Sequence, residues 1–445
     1  MTERFELVIR AASALVDGAF RPAWIGITGG VITAVSHQLL EGATQITLAA
    51  DEVLVPGLVD SHVHINEPGR TEWEGFASAT RAAAAGGVTT LIDMPLNSIP
   101  ATTTVEALEQ KRRIAASKSV VDVGFWGGAV PQNLGRLREL HNAGVFGFKA
   151  FLAPSGVAEF DHLDASQLER ALEEIAGLGG LLIVHAEDPG VLDAHANEGG
   201  IDYRRFLESR PDAAEVTAIE RVIAGVRRTG ARAHILHLSS AAALPALRAA
   251  RAEGLPITVE TCPHYLCISE EQVPDGGTQF KCCPPIRGDA NRDALWQALL
   301  DGDIDIVVTD HSPSTAALKF SHGGDFHLAW GGIAGLQTGL AAVWTEASRR
   351  GIPLACIFGW MSTGPADFAG LSTKGRITVG AAADLVSFAP EATFTVHAAE
   401  LLHKNPVSAY DGRELRGVVR QTWLAGHPVS VSAEAAAGGI LLTRQ

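Results

Sequence analysis

Apolar runs punctuate the chain at residues 53–59, 88–93, 121–126, 144–149, 181–185, 234–237, 257–260 and 304–310. They are dense in Val, Ile and Leu rather than alternating, the pattern of strands covered on both faces in a parallel sheet. Between them lie polar-apolar stretches of helical period, such as 168–175 and 214–220. Eight strand-helix units, opening near residue 54 and closing near 350, predict an α/β fold of the (β/α)8 TIM-barrel type. A doubly wound sheet is the alternative, but no glycine-rich dinucleotide fingerprint follows the first strand.

The two ends of the chain have a different rhythm. Residues 1–53 and 375–445 carry β-rich stretches separated by glycines, including 24–27, 31–35, 383–386 and 417–424. They are expected to form two parts of one small β-sandwich, with the barrel of residues 54–374 inserted between them.

Polar groups gather where the strands run out. His62 and His64 stand two apart at the end of the first, so in extended chain their rings point the same way. Lys149 closes the fourth strand, His185 the fifth, His237 the sixth and Asp310 the eighth. A strand-end His is ordinarily a hydrogen-bonded or solvated side chain, and an Asp before a loop is ordinarily a cap. Lys149 ends an apolar run, where a lysine is costly unless paired or modified. All six fall on the barrel face where such folds build active sites, and together they predict a dinuclear metal site. His234, three residues before His237, faces the other way and is expected to be structural. His264 and His311 are expected to surround the site rather than ligate.

Composition narrows the partners. A formal charge of −15 argues against nucleic acid or an anionic membrane surface. The charged N-terminal residues do not read as a signal peptide, and no apolar run reaches the length of a membrane span, so the cytoplasm is the expected location. Five cysteines are an odd number and contain no C-x-x-C pair. Cys262, Cys267, Cys282 and Cys283 are expected to be reduced thiols, buried or lining a pocket, rather than a structural zinc site.

The segments 57–64 (GLVDSHVH), 62–76 (HVHINEPGRTEWEGF), 94–98 (MPLNS), 260–266 (ETCPHYL), 281–287 (KCCPPIR) and 310–313 (DHSP) resemble the metal-dependent amidohydrolase superfamily in its cyclic-amidase branch. The resemblance spans nearly the whole chain. Within the branch it is to the allantoinase family, with dihydroorotases and hydantoinases or dihydropyrimidinases as neighbours. It implies two divalent metal ions, zinc by expectation: one held by His62, His64 and Asp310, the other by His185 and His237. Lys149 would be carboxylated by CO2 and bridge the two. Asp310 would also be the catalytic proton carrier, and the assembly a homotetramer. The implied reaction on a small-molecule substrate is the ring opening of allantoin to allantoate. A non-catalytic assembly protein of the same fold is the remote alternative.

Dihydroorotases place Arg two residues after the second metal His; here that position is Asn66, which cannot neutralise a carboxylate. Arg70 and Arg287 are the two residues able to compensate. Asn66, Asn97, Ser312, Cys282 and Pro284 are the expected substrate contacts. Ala150 and Ser314 stand where allantoinases commonly have Cys, which touches the fit of the substrate rather than the chemistry.

Overall fold

A computed structural model describes residues 4–444. Parallel strands run in chain order through Leu58–Val63, Val88–Asp93, Asp122–Phe125, Phe148–Phe151, Leu181–His185, Arg232–Ile235, Ile257–Thr261 and Ile306–Val307. Gly127–Gly128, just after the third, carries its pairing over to the fourth. The ring closes where Val63 bridges His311 and the His64 amide donates to the His311 carbonyl at 2.8 Å. Helices fill the intervals. Ala165–Leu178 begins at a reciprocal cap between Asp164 and Gln167 and stops at left-handed Gly179, as those residue types dictate.

The first apolar run is not one strand. Val53–Pro56 pairs antiparallel with Leu385–Thr395 in the terminal sheet, and only Leu58–Val63 enters the barrel. Gly57 is the crossing point, because a Cβ there would stand 2.2 Å from Thr89 Oγ1. The two ends of the chain together make one eight-stranded sheet. Its edge strand Val31–Ser36 returns to bridge Ala382, so the sheet folds over a core that includes Ile9, Ile25, Ile32, Leu54, Leu385 and Trp423. Buried Lys374 joins this sheet to the barrel, donating to Asp384 at 2.6 Å and to Asp122 at 2.5 Å. No helix among the described residues is long and apolar enough to cross a membrane.

Candidate active site

Three of the strand-end groups sit differently from the simple reading. Lys149 is the second residue of its strand, not the last, paired with Gly128 on one side and Ile183 on the other. A lysine has the reach to bring its ammonium up to the barrel mouth from there. His237 and Asp310 lie beyond the last paired residues of their strands, at φ 37° and 42°. The strained left-handed backbone turns each side chain inward over the barrel axis.

There the groups converge. His62 Nε2 lies 3.1 Å from Asp310 Oδ1, and His64 Nε2 lies 3.5 Å from the same oxygen. Lys149 Nζ is 3.4 Å from His62 Nε2, and His185 Nδ1 is 3.0 Å from His237 Nε2. All six residues are buried or nearly so. Ligating atoms of His62, His237 and Asp310 all fall within 4.8 Å of one another.

Carboxylates behind the rings fix which nitrogen faces in. Glu260 Oε1 accepts from His62 Nδ1 at 2.5 Å and from the His237 amide at 3.2 Å. Glu187 Oε2 accepts from His185 Nε2 at 2.8 Å, and that ring is stacked on Phe151 at 4.5 Å. Such outer partners set tautomer and basicity in metal sites. Asp60 accepts from the Thr309 hydroxyl at 2.6 Å and the His62 amide at 3.1 Å, tying the first strand to the eighth.

Burial sets the protonation of the set. It pushes His62, His64 and His237 well below the ordinary histidine value, with the Lys149 charge acting the same way. Burial also lowers His185, although Glu187 opposes it. Neutral imidazoles present lone pairs. Burial brings Lys149 down to about 8, against the pull of Asp310, and raises Asp310 to about 7. Four imidazoles, a carboxyl and a lysine around one point are a donor set able to hold divalent metal ions.

The centre forms the floor of a cavity of about 410 Å³. His64, Lys149, His185, His237 and Asp310 line it, while His62 is sealed beneath. Asn97, Ser312 and Cys282 line it too. Asn66 and Pro284 do not. Asn66 is buried beside the cavity, its amide donating to the Pro313 carbonyl at 3.4 Å and its Oδ1 unpartnered. The Pro284 carbonyl accepts from the Tyr265 hydroxyl at 2.7 Å.

Of the remaining candidates, His264 alone reaches the centre, with ligating atoms of Cys262, His264 and Asp310 all within 4.8 Å of one another; the others fall outside. His234 is buried between the Thr258 hydroxyl at 2.7 Å and Glu260 at 3.0 Å. His311 donates to Glu74 at 3.1 Å and accepts from the Gly335 and Leu336 amides. His264 is fully buried with both ring nitrogens unpartnered. Arg70 pairs with Glu159, and Arg287 with Glu215 at 2.8 Å and Asp212 at 3.2 Å. Neither arginine lines the cavity. All five cysteines are free thiols.

Sequence reasoning passed over Glu187 and Glu260 as working residues. The signal was there, since an acid within or just beyond a buried apolar strand needs a partner as much as a lysine does. Glu187 also follows His185 by two. Arg210, which lines the cavity from a neighbouring loop, has no comparable signal, and Lys281 has only its place at the head of the 281–287 motif.

A model of the amidohydrolase family matches residues 53–429. An allantoinase of Streptomyces avermitilis is 57% identical over 96% of each chain. One of Saccharomyces cerevisiae is 43% identical over 96% of this chain and 95% of its own. Among solved structures, the L-hydantoinase (dihydropyrimidinase) of Arthrobacter aurescens superposes with a TM-score of 0.94 at 29% identity, covering 99% of this chain and 100% of that one. With barrel, terminal sheet and converging ligand groups already in place, these likenesses settle the family: the chain belongs to the metal-dependent amidohydrolases, in the allantoinase branch of the cyclic amidases.

Proposed function

We propose that this protein opens the ring of allantoin by hydrolysis of its cyclic amide, giving allantoate. The observation that carries the reading is the convergence of His62, His64, Lys149, His185, His237 and Asp310 on the cavity floor. His62, His64 and Asp310 would hold one divalent ion, and His185 and His237 a second. Lys149, carboxylated on Nζ, would lie between them. A carbamate replaces an ammonium that two cations would repel, and a lysine whose pKa burial lowers to about 8 gives up its proton to react with CO2 more readily than an ordinary one. Zinc fits the nitrogen-rich donor set. Bound there, the ions supply Lewis acidity and hydroxide at neutral pH.

The chain's own groups do the rest. Glu260 and Glu187 hold the imidazoles in register. Asp310 takes the proton of the attacking water and hands it to the departing ring nitrogen as the C–N bond breaks. Asn97, Ser312 and Cys282 face the ring, and Asn66 and Pro284 support the wall from behind.

Substrate choice rests on the relatives more than on charge. Arg70 and Arg287, which could meet the carboxylate of dihydroorotate, are already engaged with Glu159, Glu215 and Asp212. Lys281 also lines the cavity, so the choice of a neutral polar ring is carried by the allantoinases of Streptomyces avermitilis and Saccharomyces cerevisiae. The hydantoinase fold likeness keeps hydantoin or dihydrouracil as the second reading. A side-by-side assay with allantoin, dihydroorotate, hydantoin and dihydrouracil decides it: allantoin is the expected best substrate, and a preference for any of the others overturns the assignment. Cytoplasmic location and a homotetramer complete the proposal by resemblance, the latter checked by analytical ultracentrifugation.

A further inference from the structure

A second cavity of about 460 Å³ adjoins the one over the metal-binding groups, and the two share Pro154, Arg210, Lys281, Cys283 and His327 in their walls. The combined space is longer than a single small ring requires. Among the shared residues are two cations, and their situations differ. Arg210 is neutralised by Glu187, whose two oxygens both lie 3.3 Å from its Nη1. Lys281 has no carboxylate within ion-pair distance among the described residues. Its ammonium is met by the carbonyls of Ala329 at 2.6 Å and His327 at 3.1 Å, and it lies over the Phe206 ring, 5.3 Å from the centroid.

His327 stands beside it. Both ring nitrogens are buried and neither has a hydrogen-bond partner. Gly199 packs beside the ring, where a Cβ would come within 2.7 Å of Nδ1, and Phe206 meets it edge-on at 6.0 Å, so a turn of the side chain is needed to bring a nitrogen to the joined space. Burial, with the charge of Lys281, keeps the imidazole below its ordinary pKa, so it offers one acceptor and one donor. Among the described residues, Asp310 is the only carboxylate lining the inner cavity, and Asp193 and His162 line the outer one. The junction between them is furnished with the Lys281 ammonium and the His327 imidazole.

We propose that Lys281 and His327 form a recognition site for an open-chain urea group carried on the substrate ring. A urea arm has a strong carbonyl acceptor and N–H donors on one plane. The ammonium of Lys281 would donate to its carbonyl, and a ring nitrogen of His327 would accept from its N–H. The inference rests on the proposed allantoin reaction, since allantoin is a hydantoin ring bearing such an arm, and it assigns the residues that separate allantoin from the bare ring.

The test compares allantoin as substrate with hydantoin, the same ring without the arm, as competitive inhibitor, in intact metal-loaded protein. In K281M the KM for allantoin is expected to rise about 10- to 100-fold while the Ki of hydantoin moves by less than about threefold, the difference expected for losing one charged hydrogen bond. H327F leaves the backbone carbonyls that hold Lys281 in place, so it separates recognition from loop disruption; a rise in KM of about 5-fold with unchanged hydantoin Ki is expected. K281R should recover most of the loss. If wild-type protein does not turn over allantoin, the proposed reaction itself falls. If wild type turns it over and the variants shift KM and hydantoin Ki together, or shift neither, the reaction stands and the urea site is wrong.

Discussion

Glu260 accepts the Nδ1 proton of His62 at 2.5 Å, which leaves Nε2 of that ring as the lone pair facing Asp310. The same carboxylate takes the His237 amide and the His234 ring, so one buried acid positions three groups from the first and sixth strands. Replacing it with Ala removes the fixed tautomer without removing a ligand. Metal affinity in E260A is expected to fall about 10- to 100-fold. Metal content after dialysis against graded chelator measures it, and unchanged retention would remove Glu260 from the metal centre.

Lys149 should be indispensable through its carbamate rather than its charge. K149A is expected to lose activity at least about 100-fold, with part regained on adding short carboxylic acids that occupy the same space. Activity near the wild-type level in the Ala variant would show that nothing bridges at this position.

Asp310 is proposed both to ligate and to carry the proton. D310N keeps an oxygen donor yet cannot carry a proton, so kcat should fall about 10²- to 10⁴-fold, more than metal content falls. Parallel loss of metal and rate would reduce Asp310 to a ligand alone.

Chelation should abolish hydrolysis, and readdition of a divalent ion with bicarbonate should restore it. Recovery that is indifferent to bicarbonate argues against carboxylation of Lys149. Hydrolysis that survives complete removal of metal would sink the metal-dependent reading.

Glu74 supplies a pH-dependent test away from the chemistry. It is wholly buried and accepts from His311 at 3.1 Å, from Ser78 and from the Lys404 amide. Burial opposes its charge, but the His311 and Ser78 hydrogen bonds outweigh that and hold the carboxyl below its ordinary 4.5. A carboxyl depressed in the folded state contributes stability above its unfolded pKa and loses it as pH falls through the folded one. E74Q is therefore expected to cost about 1–3 kcal/mol at pH 7, with the gap from wild type closing as pH falls below 4.5 and through the lower folded-state value. Chemical denaturation across pH reads it, and a gap that widens in acid contradicts the assignment.

Much of this could be read along the chain. Strand periodicity gave the barrel because each parallel strand is buried on both sides and shows as a local apolar run. The two-residue spacing of His62 and His64 put both rings on one side, and their Nε2 atoms do share Asp310 Oδ1 as neighbour. The first strand was bounded too early because nothing local marks Gly57 as a crossing between sheets. That role comes from Thr89, thirty-two residues away and packed where a Cβ would go. Lys149 closes the apolar run 144–149, yet the strand continues to Phe151, and the long side chain carries the ammonium to the barrel mouth from within the strand.

By itself the sequence determined the strand count, the residue types that gather at the barrel mouth, and the family, all of which depend on local periodicity and on motifs of a few adjacent positions. Only the tertiary structure decided which nitrogen each imidazole presents, that Arg70 and Arg287 are already engaged, and that Lys281 and His327 meet where two cavities join. Those facts depend on contacts between segments distant in the chain, and on how burial shifts charge at the points where they meet. Neither leaves a periodic trace in the order of residues.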